Sequence, residues 1–251
     1  MNRPLLYLTG CALASGLSVV HADDAQPVHE FSGNVAVTSD YLFRGVSQTN
    51  EGIAIQGGLD YQHVPTGLYL GTWASSIDFN VNATDRASVE WDFYGGIAGE
   101  FANGVSWDVG GIFYYYPEQN EDDGARYNCL EFYGGLEYTF AEAPLQPTVG
   151  AKFSYSGDYF GGDDEALYSE GSLDLALPQE FGLGFHVGHA AVEGNKTFAN
   201  GYDYTHWSVG LSKEVAGFGL DLSYNDTGDK DGPCRGNDLC QAVVFSVSRS
   251  F

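Results

Sequence analysis

Residues 89–115 read VEWDFYGGIAGEF, then ANG, then VSWDVGGIFYY, and this stretch decides the fold. Val89, Trp91, Phe93, Ile97 and Phe101 keep the same parity, and so do Val105, Trp107, Val109, Phe113 and Tyr115. A period of two puts each set on one face of a strand. The intervening positions hold Glu90, Asp92, Glu100 and Asp108, so the second face is polar and acidic. Ala102-Asn103-Gly104 between the two runs has the chemistry of a tight hairpin.

The same pattern runs outward in both directions. Val35, Val37, Tyr41 and Phe43 share a face upstream, followed by Ile53, Ile55, Leu59 and Tyr61, and residues 68–77 form a strand of ambiguous parity. Downstream come Leu130, Phe132, Leu136, Tyr138 and Phe140; Val149, Ala151, Phe153 and Tyr155; Leu173, Leu175 and Leu177; Leu183, Phe185 and Val187. Trp207, Val209 and Leu211, then Phe218, Leu220, Leu222 and Tyr224, and finally Val243, Phe245, Val247 and Phe251 complete the series, with Arg249 the exception on the last face. This amounts to about twelve strands and no helix, an all-β chain.

The connections alternate in length. Short turns stand at 63–67, 102–104, 141–147, 178–182 and 215–217, and longer polar loops at 78–86, 117–126, 157–166, 193–201 and 226–239. If the first strand rises from the periplasm, every short turn is periplasmic and every long loop extracellular, the asymmetry of an antiparallel transmembrane β-barrel of the bacterial outer membrane. A soluble sandwich has no reason to produce it. Beyond residue 22 no run of 18 apolar residues appears, which rules out a transmembrane helix but says nothing against a barrel.

The N-terminus reads as an export signal. Met1-Asn2-Arg3 is basic, residues 5–20 are apolar, Val20-His21-Ala22 offers small residues for cleavage, and Asp23-Asp24 follow. Leu8-Thr9-Gly10-Cys11 offers an alternative, lipoprotein-type cleavage box. The expected organisation is a signal peptide at 1–22, a short periplasmic segment at 23–30 and a barrel at 31–251. Terminal Phe251, on an alternating apolar strand, resembles the signal read by the outer-membrane assembly machinery. Of the cysteines beyond the signal, Cys234 and Cys240 bracket a short loop and are a disulfide candidate in an oxidising compartment, which leaves Cys129 as a buried or wall thiol.

Ten basic and 34 acidic residues give a net charge of −24. That excludes nucleic acid and anionic lipid headgroups as electrostatic partners and suits neutral or cationic ones. An aromatic content of 15% excludes a disordered acidic chain.

Val37-Thr38-Ser39-Asp40-Tyr41-Leu42-Phe43-Arg44-Gly45-Val46-Ser47-Gln48-Thr49 resembles the opening motif of the TorF family of porins. The likeness continues in Gly71-Thr72-Trp73-Ala74-Ser75, Glu90-Trp91-Asp92 with Tyr94-Gly95-Gly96, Trp207-Ser208-Val209-Gly210-Leu211-Ser212-Lys213 and Val243-Val244-Phe245-Ser246-Val247-Ser248. It implies an outer-membrane porin, with no substrate and no catalytic residue attached.

Strand parity names the candidate pore lining: Asp40, Arg44, Asp60, Glu90, Asp92, Asp108, Glu131, Glu137, Lys152, Glu170, Asp174 and Asp221. A charge facing hydrocarbon at midplane costs up to about 2–4 kcal/mol for a base and less for an acid, so these groups belong inside. Two bases cannot neutralise so many acids, and the expected bore is therefore hydrated and passes small hydrophilic solutes, cations or neutral ones preferred. Asp40 and Arg44 fall on one face of the first strand. As a brace Arg44 would pair with Asp40 or with an acid on a neighbouring strand; as a constriction residue it would interrupt the acidic field. Tyr41, Trp91, Trp107, Tyr115, Tyr138 and Tyr224 are placed as interfacial girdles. The acids of loops 117–126 and 157–166 lack the spacing of a calcium loop and read as solvated surface. No cofactor and no enzymatic activity are expected. Alternatives are a surface-binding barrel using its long acidic loops, or a lipid-modifying barrel using His206 and Ser208, though both of these point inward. Outer-membrane lipid is the expected surround.

Overall fold

The computed structural model describes residues 27–79, 87–117, 119, 126–161, 164–194, 201–228 and 240–251. The expected signal peptide, Cys11, Cys234, and the loop acids Glu118, Glu121, Asp122, Asp123 and Asp163 lie outside them.

The chain runs β1 (His29–Thr38), β2 (Leu42–Phe43), β3 (Val46–Ser47), β4 (Ala54–His63), β5 (Leu68–Ser76), β6 (Val89–Glu100), β7 (Val105–Tyr115) and β8 (Cys129–Thr139). It continues through β9 (Thr148–Ser156), β10 (Ala166–Leu177), β11 (Phe181–Val192), β12 (Tyr202–Val215), β13 (Phe218–Thr227) and β14 (Gln241–Ser250). Twelve strands, all except β2 and β3, close a barrel in which each pairs with its sequence neighbour and β1 meets β14. Every ladder is antiparallel, as in Trp91–Tyr115 to Glu100–Ser106 between β6 and β7. Closure gives each of the twelve strands a hydrogen-bonded neighbour on both sides, the condition for spanning a bilayer with strands. β1 begins at His29, opposite His63, two residues before the expected barrel boundary.

The wall has the two faces that alternation requires. Outward side chains are apolar and open to the surroundings: Phe132 is 61% exposed and Leu70 63%, with Val109, Leu136, Phe153 and Val187 like them. A water-soluble fold would bury such residues; a hydrocarbon surround makes them the favourable outer surface. The ambiguous third strand resolves with Leu68 and Leu70 outside and Tyr69, Trp73 and Ser75 buried inside. All five short turns lie at one end. Gly67 (φ 72°), Gly104 (φ 82°) and Gly217 (φ 80°) take left-handed turn positions there. The terminal residue completes the seam at that end, since Phe251 exchanges backbone hydrogen bonds with Gly33 (2.9 and 3.0 Å).

One sequence expectation fails in an informative way. The first strand does not continue to Phe43: it leaves the wall after Thr38, and residues 39–53 turn into the barrel, carrying the small β2–β3 hairpin. Tyr41 is therefore not a girdle residue but a buried interior one, 3% exposed. Polar side chains hold the departed segment together. Ser47 Oγ and Thr49 Oγ1 donate to Asp40 Oδ1 (2.6 and 2.9 Å), which ties the segment to itself rather than to the wall.

Candidate pore and its internal plug

The tip of the inward segment is Arg44-Gly45, between β2 and β3. Arg44 Nη1 and Nη2 donate to Glu131 Oε1 and Oε2 of β8, both at 2.8 Å, a two-pronged ion pair. Arg44 Nη1 also donates to Tyr159 Oη (3.3 Å), and the guanidinium lies 4.1 Å from the ring centroid of Tyr168 on β10 and 4.7 Å from that of Phe43. Thr227 Oγ1 of β13 donates to the Gly45 carbonyl (3.0 Å). In the ring of strands β9 lies opposite β1, with β8 and β10 beside it. A segment rooted on β1 and β4 that grips β8 and β10 crosses the bore. We refer to residues 39–53 as the plug.

Glycine at position 45 is required twice over. Its φ is +78°, and a Cβ there would meet His206 Cβ and Thr227 Oγ1 at 2.6 Å each. Behind the hairpin, Tyr41 Oη and Tyr116 Oη donate to the two oxygens of Glu90, each at 2.7 Å, and Tyr114 Oη donates to Glu131 Oε2 at 3.1 Å. Phe79, Tyr116, Tyr127 and Phe160 stack over this layer, with the Tyr127 and Phe160 rings parallel at 4.8 Å. Cys129 is a free, buried thiol within it, as the sequence reading allowed.

Glu90, Asp92 and Glu131 are all 2% exposed or less, Asp40 is 5% and Arg44 7%. Glu90, Asp92 and Glu131 face inward from the wall as parity requires, and Asp40 and Arg44 enter with the plug, but at this long-loop half all five are buried. The expectation of a hydrated bore is corrected at this level: Tyr41 and Tyr116 hold Glu90, Arg44 and Tyr114 hold Glu131, and Ser47 and Thr49 hold Asp40. The expected Asp40–Arg44 proximity on one strand face is corrected too, since Arg44 reaches Glu131 instead. Arg44 thus pairs neither with Asp40 nor with an acid on a neighbouring strand, but with Glu131 of β8 across the barrel. Asp40 Oδ2 and Asp92 Oδ1 have no hydrogen-bond partner among the described residues.

The short-turn half differs. Asp60, Asp108, Glu137, Asp174 and Asp221 point inward and are half-buried. Tyr94 Oη donates to Asp60 Oδ1 (2.6 Å) and Tyr69 Oη to Asp108 Oδ1 (2.7 Å), while Glu137, Asp174 and Asp221 make no hydrogen bond to a described residue. Lys152, near mid-wall with its Nζ 4.6 Å from the Tyr133 ring centroid, is the inward-pointing base on the barrel strands. Lys213 and Arg249 point outward at the short-turn end, over Phe181 and Phe218. Glu170 is 8% exposed and bonds His186 Nε2 at 2.9 Å at the boundary between the halves.

The interior tyrosines here lie along the wall. Tyr69 is paired with Gly96, Tyr94 with Gly71 and Tyr133 with Gly110, and a Cβ on any of these glycines would run into the partnering ring or hydroxyl. Glycine thus provides the seat that keeps each ring out of the bore. Sequence reading missed these pairs, although the Gly95-Gly96 and Gly110-Gly111 doublets inside strands are a signal of close approach.

His206 (5% exposed) shares a hydrogen bond with Tyr168 Oη (2.8 Å) and is packed against the plug, so neither it nor inward-facing Ser208 meets lipid. Among the described residues no three His, Cys, Asp or Glu side chains are arranged to hold a metal ion. Cys240 is disulfide-bonded.

Solved structures with this architecture are outer-membrane barrels. A NanC porin matches with a TM-score of 0.54 at 10% identity, covering 87% of this chain and 98% of that one. An outer membrane channel from Pseudomonas putida F1 matches with a TM-score of 0.52 at 12% identity, covering 93% of this chain and 100% of that one. At such identities the likeness is one of fold: a closed antiparallel barrel of the kind these outer-membrane proteins have, in which short turns face the periplasm and long loops the outside. No curated protein matches the chain. The profile of a family described as bacterial protein of unknown function (Gcw_chp) matches residues 22–251, nearly the whole chain, and the protein belongs to that family.

Proposed function

We propose that this barrel is a passive channel for small hydrophilic solutes that favours cations and neutral molecules. The observation that carries the reading is the lining of the periplasmic half: Asp60, Asp108, Glu137, Asp174 and Asp221 face a common space, and Lys152 is the inward base on the strands. Aligned carboxylates inside low-dielectric walls raise the local concentration of cations and repel anions. Half-buried acids without protein partners need water or counter-ions to stay charged, which is what a permeable vestibule supplies. The resemblance to TorF-family porins points the same way, and so does the channel fold. Glu90, Asp92, Glu131, Glu170, Asp40 and Arg44 line the passage only where the plug does not cover them. Phe251 serves as the mark for outer-membrane assembly, and the chemistry requires no cofactor.

Planar-bilayer recording of the purified barrel in a salt gradient tests this. Discrete openings whose reversal potential reports cation preference are expected. A folded barrel that stays electrically silent in wild type and in plug variants alike overturns the channel reading and turns attention to the long acidic loops as a surface-binding device.

A further inference from the structure

At the seam the wall is incomplete. β1 pairs with β4 along its full length, His29 to Thr38, but with β14 only from Asn34–Ser250 to Thr38–Ser246. Beyond Thr38 one last contact is made: Ser39 N donates to the Phe245 carbonyl (2.9 Å), and Phe245 N donates to Ser39 Oγ (3.0 Å). In an antiparallel ladder alternate residues address the same neighbour. Val243 and Gln241 therefore turn their backbone N–H and C=O towards the place that β1 has vacated, where no described residue bonds them. The edge they form is outward and apolar, with Val243 66% exposed.

The vacated place fits the residues that left it. Extending the observed register puts Tyr41 opposite Val243 on β14, and Phe43 opposite Gln241. On the other side Tyr41 meets Glu51 and Phe43 meets Thr49, leaving residues 44–48 as a short loop around Gly45. Val35, Val37, Tyr41 and Phe43 share one parity, interrupted by Ser39, so Tyr41 and Phe43 would continue the outward face of Val35 and Val37 while Asp40 would stay inside. Backbone conformation also separates two arrangements. In the inward one Arg44 (φ 49°), Asn50 (φ 49°) and Glu51 (φ 62°) all occupy the left-handed region, which non-glycine residues rarely adopt. Extension would return Asn50 and Glu51 to ordinary strand geometry.

We propose that residues 39–53 are a two-position gate: folded inward, they close the bore by clasping Glu131 through Arg44; extended, they complete β1 and β4, satisfy the free edge of β14 and open the bore. This rests on the channel reading above. The inward position holds an ion pair and a cation–π stack; the extended position holds new ladder hydrogen bonds and an outward aromatic pair. Interactions of comparable kind on both sides are what a bistable element needs.

The test is a cross-link that only the extended position brings together. Leu42 and Ala242 become directly opposed when the observed register is continued, so L42C/A242C is made in a C129A background, with folding checked by heat-modifiable gel migration. Oxidation is expected to cross-link the membrane-inserted barrel slowly, and at least tenfold faster when R44A is added. The cross-linked form should show at least a tenfold higher open probability in bilayers, lost again on reduction. If openings are recorded but no cross-link forms in either background, the gate is overturned and the channel reading stands. If the cross-link forms and every variant stays silent, the channel reading falls and the gate with it.

Discussion

The two halves of the interior are built from the same residue types and behave oppositely. In the outer half Glu90, Asp92 and Glu131 are shut away with Arg44, Tyr41, Tyr114 and Tyr116, and Glu90 and Glu131 are held there by named hydroxyls and a guanidinium. In the short-turn half Asp60, Asp108, Glu137, Asp174 and Asp221 stand half-open on the wall, three of them without a hydrogen bond to a described residue. The difference does not lie in the strands, which put an acid inward on either level. It lies in the excursion of residues 39–53, which brings a base with Tyr41 and Phe43 to one level only, and in the rings of Phe79, Tyr116, Tyr127 and Phe160 stacked over it. An acidic lining by itself therefore does not decide whether a barrel conducts; what fills the space between the acids does.

The largest effect is expected from removing the clasp. Truncating one partner of a buried ion pair costs about 3–5 kcal/mol because the other charge is left stranded. Arg44→Ala should therefore shift the balance away from the inward plug by a hundredfold or more, seen as open probability in single-channel records. Glu131→Gln should do the same with smaller amplitude, since Arg44 keeps Tyr159 and its aromatic stack. An unchanged record in both variants breaks the distinction between the halves.

Gly45→Ala comes next. Its Cβ is directed at His206 and Thr227, and its φ of +78° opposes an L-residue. Expected is a loss of plug closure of about 1–3 kcal/mol, again as open probability, with heat-modifiable migration of the barrel unaltered.

Much of this was legible in the sequence and some was not. Residues 89–115 disclose the strand period, and the alternation of short turns with long loops discloses the barrel, because both depend on local spacing. The inward orientation of the acids follows from parity alone. What parity cannot convey is where a strand leaves the wall. Val35, Val37, Tyr41 and Phe43 keep the strand period with only Ser39 between them out of pattern, yet β1 ends at Thr38. The reason lies far away, in Glu131 on β8 and Thr227 on β13, whose contacts with Arg44 and Gly45 no spacing rule reaches. The tyrosine-on-glycine seats are hidden in the same way, since each needs the register of two strands.

The periplasmic half can be probed without touching the plug. Neutralising Glu137, Asp174 and Asp221 together, as Glu137→Gln, Asp174→Asn and Asp221→Asn, should move the reversal potential in a salt gradient towards that of an unselective pore while leaving open probability alone. A larger cation preference after neutralisation would contradict the proposed lining. Smallest of all, Gly71→Ala, whose Cβ would meet only the Tyr94 side chain, should tilt Tyr94 off the wall and lower the conductance of each opening, with selectivity retained.

The most direct measurement is the reactivity of two thiols towards a hydrophilic, membrane-impermeant thiol reagent. Native Cys129 sits in the outer layer behind the plug, 5% exposed, and Asp174→Cys places a second thiol on the periplasmic wall. The account predicts that the thiol at position 174 reacts at least about a hundredfold faster than Cys129 and that Arg44→Ala removes most of that gap, the factor being the one expected for loss of the buried pair. Equal rates at the two positions in the wild-type background would mean that the bore is wet from end to end, and would contradict it.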